Sequence, residues 1–566
     1  MDLATEMYDH IGVGFGPANL ALCISLHENE RAKATGFSMC FLEKQTEFAW
    51  HPALLLPGAQ LQVSPLKDLA TMRDPTSSCT FLNFLHEEGR LMPYINREEK
   101  VPSRREWSAY LAWAAKRMDS YVRYGRQVVD IVPMEEKGVL SYYRIECEHV
   151  ETKQRESFFS RNVSLAVGGW AKVPYVFQSM YKYPFDEGLS RVVHASTFLP
   201  QMTKLAPLLH RRTKPLRFAI IGGGQSAVEI LCYLRHQFAQ AELDMIFRAS
   251  ALVPSDDSPF VNAAAFDPSS VSTFWQSTAR QRAAQLAEFK RTNYSVVRHD
   301  LLGHVYEMVY DQDIDYREPM EEDKGKIRLL SNTELVRAEQ LSSEHGEDEG
   351  CVRIDTCTNA GEVLERSGTY DAVFLGTGFE RDPSLLPFVQ TLAKYFPLLS
   401  TQGAAQLHEQ ELALDDQVMH SHDPESMRAQ VRGITRDYRL VPADLSQWCM
   451  PLSMPTDVAQ CVARSQLGRE GCREPSLPPS RAASLPDTSA ARSEAPAQSG
   501  QIFLFGCNER THGLSDSLMS MVAHRAGIDS VASACQGYVT SLLPAPARGC
   551  QCLEEALYVL RADLQA

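Results

Sequence analysis

Two glycine-rich turns, Val13-Gly14-Phe15-Gly16-Pro17-Ala18 and Ile221-Gly222-Gly223-Gly224-Gln225-Ser226-Ala227, lie more than 200 residues apart. Glycine permits positive φ and lets backbone N–H groups approach a pyrophosphate at a helix N-terminus, where the helix dipole favours an anion. Either turn alone is compatible with a tight bend that holds nothing. Two of them, each read between an apolar strand and a helix, predict two bound dinucleotides. The simplest chain of that kind is a flavoprotein that takes electrons from NAD(P)H.

The elements that must position these turns are readable on both sides. Tyr8 to Val13 reads as a short strand, and Ala18, Leu20, Ala21, Leu22, Ile24 and Leu26 recur as a helix core does. Asn19 stands where the fingerprint has its third glycine. Met39-Cys40-Phe41-Leu42-Glu43 is an apolar strand ending in an acid suited to a ribose hydroxyl, although its spacing exceeds the usual ~20 residues. At the second turn, Phe218 to Ile221 reads as a buried strand, and Gly222, Gly224 and Ala227 fill the three small positions. The strand Leu243 to Phe247 ends in Arg248, not an acid, which suits a 2′-phosphate and favours NADPH over NADH.

Composition fits a large enzyme. With 566 residues, 44% hydrophobic and 22% charged, the chain can bury more than one core, and length alone implies about 2–4 domains. The 56 basic and 71 acidic residues give a net charge of −15, which argues against nucleic acid or an anionic membrane surface as partner. No apolar run reaches the ~18 residues of a membrane span, and the acidic N-terminus is unlike a secretory signal, so a cytoplasmic setting is expected. The 14 cysteines are scattered without a Cys-x-x-Cys pair. Neither a structural metal nor the paired redox thiols of a flavin disulfide reductase is therefore expected.

The expected fold is α/β, with two Rossmann-like dinucleotide-binding domains, for FAD and NADPH, and a small, mostly helical substrate-binding part. The expected order is a first flavin-domain segment over 1–205, an inserted NADPH domain over 206–369, and a return segment over 370–464. A Pro/Ser/Ala-rich disordered loop over 465–500 and a C-terminal part over 501–566 follow. The strand Tyr370 to Leu375, running into Gly376-Thr377-Gly378, marks the expected return to the flavin domain, and Gln501 to Gly506 is a further return strand. Ser342 to Gly350, acidic and polar, reads as a loop tip.

The block from Trp50-His51-Pro52 through Gln62 to Lys67-Asp68-Leu69-Ala70-Thr71 and Asp74 is dense in aromatic, amide and cationic groups. With Pro254 to Asn262, Thr292 to Val297, Gly376-Thr377-Gly378 and Thr511 to Ser520, it resembles the ornithine N-hydroxylases of siderophore biosynthesis. These are flavin monooxygenases that act on the side-chain amine of a free amino acid. The resemblance runs along nearly the whole chain outside the two polar stretches. Lysine N-hydroxylases share parts of it, but the Lys-Asp-Leu-Ala-Thr and Asn-Tyr-Ser-Val-Val blocks look more like the ornithine branch.

The resemblance implies roles residue by residue. Gly14, Gly16 and Pro17 would cradle FAD, with Glu43, Lys44, Trp50 and His51 along its ribose and adenine side, Gln62 on the isoalloxazine, and Ser517 nearby. Lys67 would pair with the substrate α-carboxylate, and Asn262 and Asn293 would bond the amino acid head and the reacting amine. Ser520 and the backbone of Leu518 would complete the pocket. Gly222, Gly223, Gly224, Gln225, Ser226, Arg248, Asn293, Tyr294 and Ser295 would hold NADPH. The implied reaction gives N5-hydroxy-L-ornithine from L-ornithine and dioxygen, for later acylation to an iron-chelating hydroxamate, and related enzymes are often homotetramers.

Plainer roles exist for the same residues. Lys67 next to Asp68 could be a surface ion pair worth ~0–1 kcal/mol, Asn262 and Asn293 could be caps or turns, and Trp50 and His51 could be core. A lysine N6-hydroxylase, a flavin reductase and an NADPH-binding redox sensor are the competing functions, but the reductase would not need Lys67, Asn262 and Asn293 together, and the sensor would tolerate loss of flavin contacts such as Gln62. An amine near the lysine reference pKa of ~10.4 must lose its proton before it can attack oxygen, which favours amide contacts over a carboxylate beside it. Asn293 is the candidate for that contact. Lys67 would then measure chain length, where one methylene is worth only ~1–3 kcal/mol.

Overall fold

The computed structural model describes residues 7–98, 101–181, 188–315, 325–342, 349–358, 365–419, 421–447 and 500–517. Leu518 and Ser520, most of the 465–500 stretch and residues 343–348 of the acidic stretch lie outside the described residues.

Among the described residues the first sheet has seven strands. Met7–Val13 lies between Met39–Leu42 and Arg155–Leu165, parallel to both, with Val122–Arg123 beyond Met39–Leu42. On its other edge the long strand Arg155–Leu165 serves two neighbours. Its first half pairs antiparallel with Val139–His149, and its second half pairs parallel with Gln501–Leu504, so the C-terminal return strand joins the first sheet. Helix Pro17–Glu28 buries Leu20 to Leu26 against Phe41, Trp107, Tyr110 and Phe503.

Asn19, the departure from the fingerprint, has a structural purpose. It is fully buried, and its Nδ2 donates to the carbonyl of Gly14 at 2.7 Å while its Oδ1 accepts from the Ser164 hydroxyl at 2.8 Å. That hydroxyl is spent on Asn19, so His10, held neutral by burial, donates from Nε2 to the Ser164 oxygen at 2.9 Å. The amide thus ties the turn to a neighbouring strand. Asn19→Ala should cost about 1–3 kcal/mol in chemical denaturation because it leaves buried polar groups unpaired, with loosened flavin retention.

The second sheet is parallel, in the order Ile327–Leu330, Glu242–Ile246, Arg217–Ile221, Ala372–Leu375, Val192–His194. Two strands therefore sit differently from the expected chain order. Ala372–Leu375, read as the return to the flavin domain, pairs with Arg217–Ile221, and Val192–His194, read within the first segment, pairs beside it. The physical reason is that a buried parallel strand carries no mark of which sheet it joins. The crossings between sheets come just outside these strands, where Trp170–Ala171 pairs antiparallel with Phe379–Glu380.

A helical part, Pro259–Phe266, Pro268–Gln276, Ala279–Asn293, Thr401–Met419, Pro424–Arg432 and the short turn Glu509–His512, joins the first sheet's core through Trp275. Buried charge pins it. Glu411 Oε1 accepts from Arg282 at 2.5 Å and from Arg432 at 2.6 Å, and all three side chains are about 2% exposed. The guanidiniums also donate to the carbonyls of Trp275, Ser277 and Arg510, so one cluster joins the helices. Among the described residues, no helix is long and apolar enough to cross a membrane.

Candidate active site

Each glycine turn has the geometry of an anion cradle. Gly14 has φ +81°, and a Cβ there would stand 2.7 Å from the carbonyl oxygen of Ala166. Gly16 caps helix Pro17–Glu28 without a side-chain hydrogen bond and faces open space, so the first N–H groups of the helix remain available. At the second turn Gly222 has φ +123°, and a Cβ would meet the Gly376 oxygen at 2.5 Å. Gly224 caps helix Gln225–Gln237, again with no side-chain cap. Both turns fit a pyrophosphate, because at neither helix N-terminus does the N-cap residue's side chain cap the first turn.

Glu43 does more than wait for a ribose. Its carboxylate accepts from the Phe15 N–H at 2.7 Å and the Gln45 N–H at 2.9 Å, which fixes the first turn and leaves lone pairs for a ligand. Lys44 beside it is exposed. Trp50 packs on the first core, and its ring meets His51 edge-on at 5.2 Å. His51 adopts a left-handed backbone, φ +44°, and the residue keeps solvent exposure although protein flanks its ring. Burial pulls its pKa down to about 4, helped by Arg104 and Arg381, so the ring is neutral at physiological pH.

The two nucleotide domains meet through side chains of the Gln62 block. Gln62 Nε2 donates to Gln225 Oε1 at 3.5 Å, and the same oxygen accepts from the Arg298 N–H at 3.0 Å. Arg298 reaches back to the Leu61 carbonyl at 3.1 Å, while Glu229 accepts from Gln225 and pairs with Arg104 at 2.9 Å. A flavin beside Gln62 would therefore lie next to the second glycine turn.

Lys67 is half-buried, and its ammonium stands 5.6 Å from the centre of the Phe266 ring. It does not pair with Asp68. That carboxylate is buried and accepts from the N–H groups of Ala70, Thr71 and Phe81. Among the described residues Lys67 has no ion-pair partner within 4.0 Å. Burial lowers its pKa, with Asp267 opposing, so an anionic ligand here would relieve an incompletely compensated cation. Asn262 lies one helical turn before Phe266, which puts it on the Lys67 side of that helix. Its Nδ2 is spent on the carbonyls of Asp257 and Ser258, leaving its oxygen as the group for a ligand.

Asn293 ends helix Ala279–Asn293, and its Oδ1 accepts from the Thr292 hydroxyl at 2.6 Å. Ser295, with φ +55°, places its Cα 3.3 Å from where a Gly224 Cβ would stand, so the Asn293–Ser295 bend abuts the second glycine turn. Strand pairing of Val253–Pro254 with Val296–Val297 brings the Asn262 and Asn293 segments together. Phe266, Tyr294 and Leu514 then share one apolar cluster, and the Tyr294 hydroxyl bonds Glu509. Lys67, both asparagines and the second turn thus converge.

The family model for L-lysine 6-monooxygenase/L-ornithine 5-monooxygenase matches residues 6–381. The chain belongs to this family. An L-ornithine N(5)-monooxygenase of Mycosarcoma maydis is 41% identical, over 92% of this chain and 84% of that protein. One from Ceriporiopsis subvermispora is 33% identical, over 93% and 98%. Among solved structures, ornithine hydroxylase from Pseudomonas aeruginosa aligns with TM-score 0.69 and 29% identity, covering 94% of this chain and all of that one. The Kutzneria sp. 744 ornithine N-hydroxylase with reduced FAD, NADP+ and L-ornithine aligns with TM-score 0.68 and 25% identity, over 93% and 99%.

In this member of the lysine/ornithine monooxygenase family, Ser517 is the last described residue, and the expected site residues Leu518 and Ser520 lie outside the described residues. Sequence reasoning missed Glu509 against Tyr294 and the Arg104–Glu229 pair. Neither has a local signal, since the partners are joined only by the fold. Ser226 sits in the first turn of its helix, and Gly223 lies against Phe247 and Leu252. Arg248 is exposed and makes no ion pair among the described residues. Arg248→Ser should raise KM for NADPH about 10- to 100-fold, the worth of a charge-assisted phosphate contact, and leave NADH kinetics nearly unchanged.

Proposed function

We propose that the chain converts L-ornithine to N5-hydroxy-L-ornithine with FAD, NADPH and dioxygen. The observation that carries this reading is a lysine without an ion-pair partner among the described residues, on the Asn262 side of its helix, beside two cradles for dinucleotides. The names of the relatives and the cofactors and substrate in the Kutzneria structure support it.

FAD, once reduced by NADPH, supplies the activation of dioxygen. The residues of the chain do the rest. Gly14, Gly16 and Glu43 would hold the flavin nucleotide, Gly222 to Ser226 and Arg248 the NADPH, and Gln62 the flavin ring where the two domains meet. Lys67 would anchor the α-carboxylate of ornithine by a charge-assisted bond. The Asn262 oxygen would accept from the α-ammonium, and the Asn293 amide would receive the terminal amine without stabilising its protonated form as a carboxylate would. Fixing both ends orients the neutral amine toward the flavin. A cytoplasmic homo-oligomer, with four copies as the family resemblance implies, completes the proposal.

The test follows NADPH oxidation, hydrogen peroxide and hydroxylated amine in the FAD-loaded protein, with L-ornithine and L-lysine side by side. Hydroxylated product with ornithine, and chiefly peroxide with lysine, is the expected result. Peroxide alone with both would mean that Lys67, Asn262 and Asn293 hold another molecule.

A further inference from the structure

Both crossings between the two nucleotide domains run through one stitched pair of strands, Trp170–Ala171 against Phe379–Glu380. The backbone there is tight. A Cβ on Gly169 would meet the Glu380 oxygen at 2.8 Å, and Gly378 has φ +79°. The Gly378 carbonyl accepts from the Lys172 N–H at 3.0 Å, and the Thr377 hydroxyl donates to the Lys172 carbonyl. His194, from the second sheet, completes the knot. It is fully buried, with a pKa lowered to about 4, and its neutral ring donates from Nε2 to the same Gly378 carbonyl at 3.0 Å. Its Nδ1 accepts from the Ser196 N–H and hydroxyl, which fixes the tautomer.

Phe379 projects from this knot toward the flavin-side loop. Its ring meets His194 edge-on at 5.4 Å and His51 at 5.8 Å, and His51 in turn meets Trp50 at 5.2 Å. One line of rings thus leads from the second sheet, through the hinge, to the first core. His51 is the member under backbone strain, since a left-handed φ of +44° is disfavoured for any residue with a Cβ and persists only where its surroundings enforce it. Its ring lies between those of Trp50 and Phe379.

We propose that Phe379 is a positioning residue: carried on the hinge between the two domains, its ring holds His51 in place and ties the flavin-side loop to the seating of the second domain. The proposal rests on the flavin reading above. It assigns Phe379 no contact with the substrate, so its effect reaches FAD through His51.

The test is the rate at which FAD leaves the purified holoprotein on dilution, followed by flavin fluorescence, for Phe379→Leu, His51→Ala and the double variant. Each single change is expected to speed release about three- to tenfold, the worth of one aromatic pair, and the double variant no more than the faster single one. Phe379→Tyr, which keeps the ring, is expected to restore the wild-type rate. A general loss of packing would not give non-additivity specific to His51. Wild-type release from Phe379→Leu or from His51→Ala, or effects that multiply in the double variant, would overturn the inference alone. A wild-type chain that retains no flavin would overturn the functional reading, and this inference with it.

Discussion

Lys67→Met raises KM for L-ornithine about 10- to 100-fold while NADPH oxidation without ornithine stays near the wild-type rate. Methionine keeps an unbranched stem against Phe266 but removes the charge that stands over its ring. A hydrogen bond to a charged group is worth about 1.5–3 kcal/mol, and each 1.36 kcal/mol is tenfold. The loss falls on substrate binding, so KM carries most of it. A second effect follows from misplacement: ornithine held at one end only presents its amine poorly, and product per NADPH consumed falls with it. Lys67→Arg recovers the charge but not the geometry of a compact ammonium, so it is expected to lie between the two. Steady-state kinetics with NADPH, peroxide and hydroxylated amine measured together check all three statements. An unchanged KM for ornithine in Lys67→Met would remove Lys67 from the site.

Glu411→Ala has the largest expected effect on stability, a loss of about 3–5 kcal/mol in chemical denaturation. The carboxylate is shared by Arg282 and Arg432, both buried, and its removal leaves two guanidiniums without a counter-charge. Glu411→Gln keeps an acceptor oxygen and loses less. The helices joined by this cluster include Ala279–Asn293, which ends in the proposed amine contact, so ornithine binding is expected to weaken together with stability. The pH dependence has a definite sign. Burial pushes the Glu411 carboxyl up, but Arg432 and Arg282 outweigh it and hold the group below its ordinary range. A carboxyl depressed in the folded state stabilises above its unfolded pKa of ~4.3, and that contribution is lost as pH falls through the lower folded value. Wild-type stability therefore drops more steeply below about pH 4 than that of Glu411→Gln, as urea titrations at stepped pH would show.

The glycine turns were legible because the conformations they need, φ +81° at Gly14 and +123° at Gly222, restrict residue type at single positions. Asn19 departs from the fingerprint, yet its amide bonds the Gly14 carbonyl of the turn and also holds Ser164, more than a hundred residues away. Nothing local in the sequence announces such a partner. The strand Ala372–Leu375 was read but given to the wrong sheet, since apolar parallel strands look alike, and Val192–His194 was not read as a strand. Lys67 could be read either way from its neighbour Asp68. The fold decides, by spending Asp68 on backbone N–H groups. The Glu411 cluster and the hinge ring Phe379 had no sequence signature, because each is made from segments that only the tertiary fold brings together.

Incubating the FAD-loaded protein with NADPH, L-ornithine and isotopically heavy dioxygen, then weighing the product by mass spectrometry, tests the central claim most directly. N5-hydroxy-L-ornithine carrying one heavy oxygen atom, formed in proportion to NADPH consumed and lost in Lys67→Met at low ornithine, is the predicted result. Unlabelled product, or NADPH consumption that yields only heavy peroxide with ornithine bound, would contradict it.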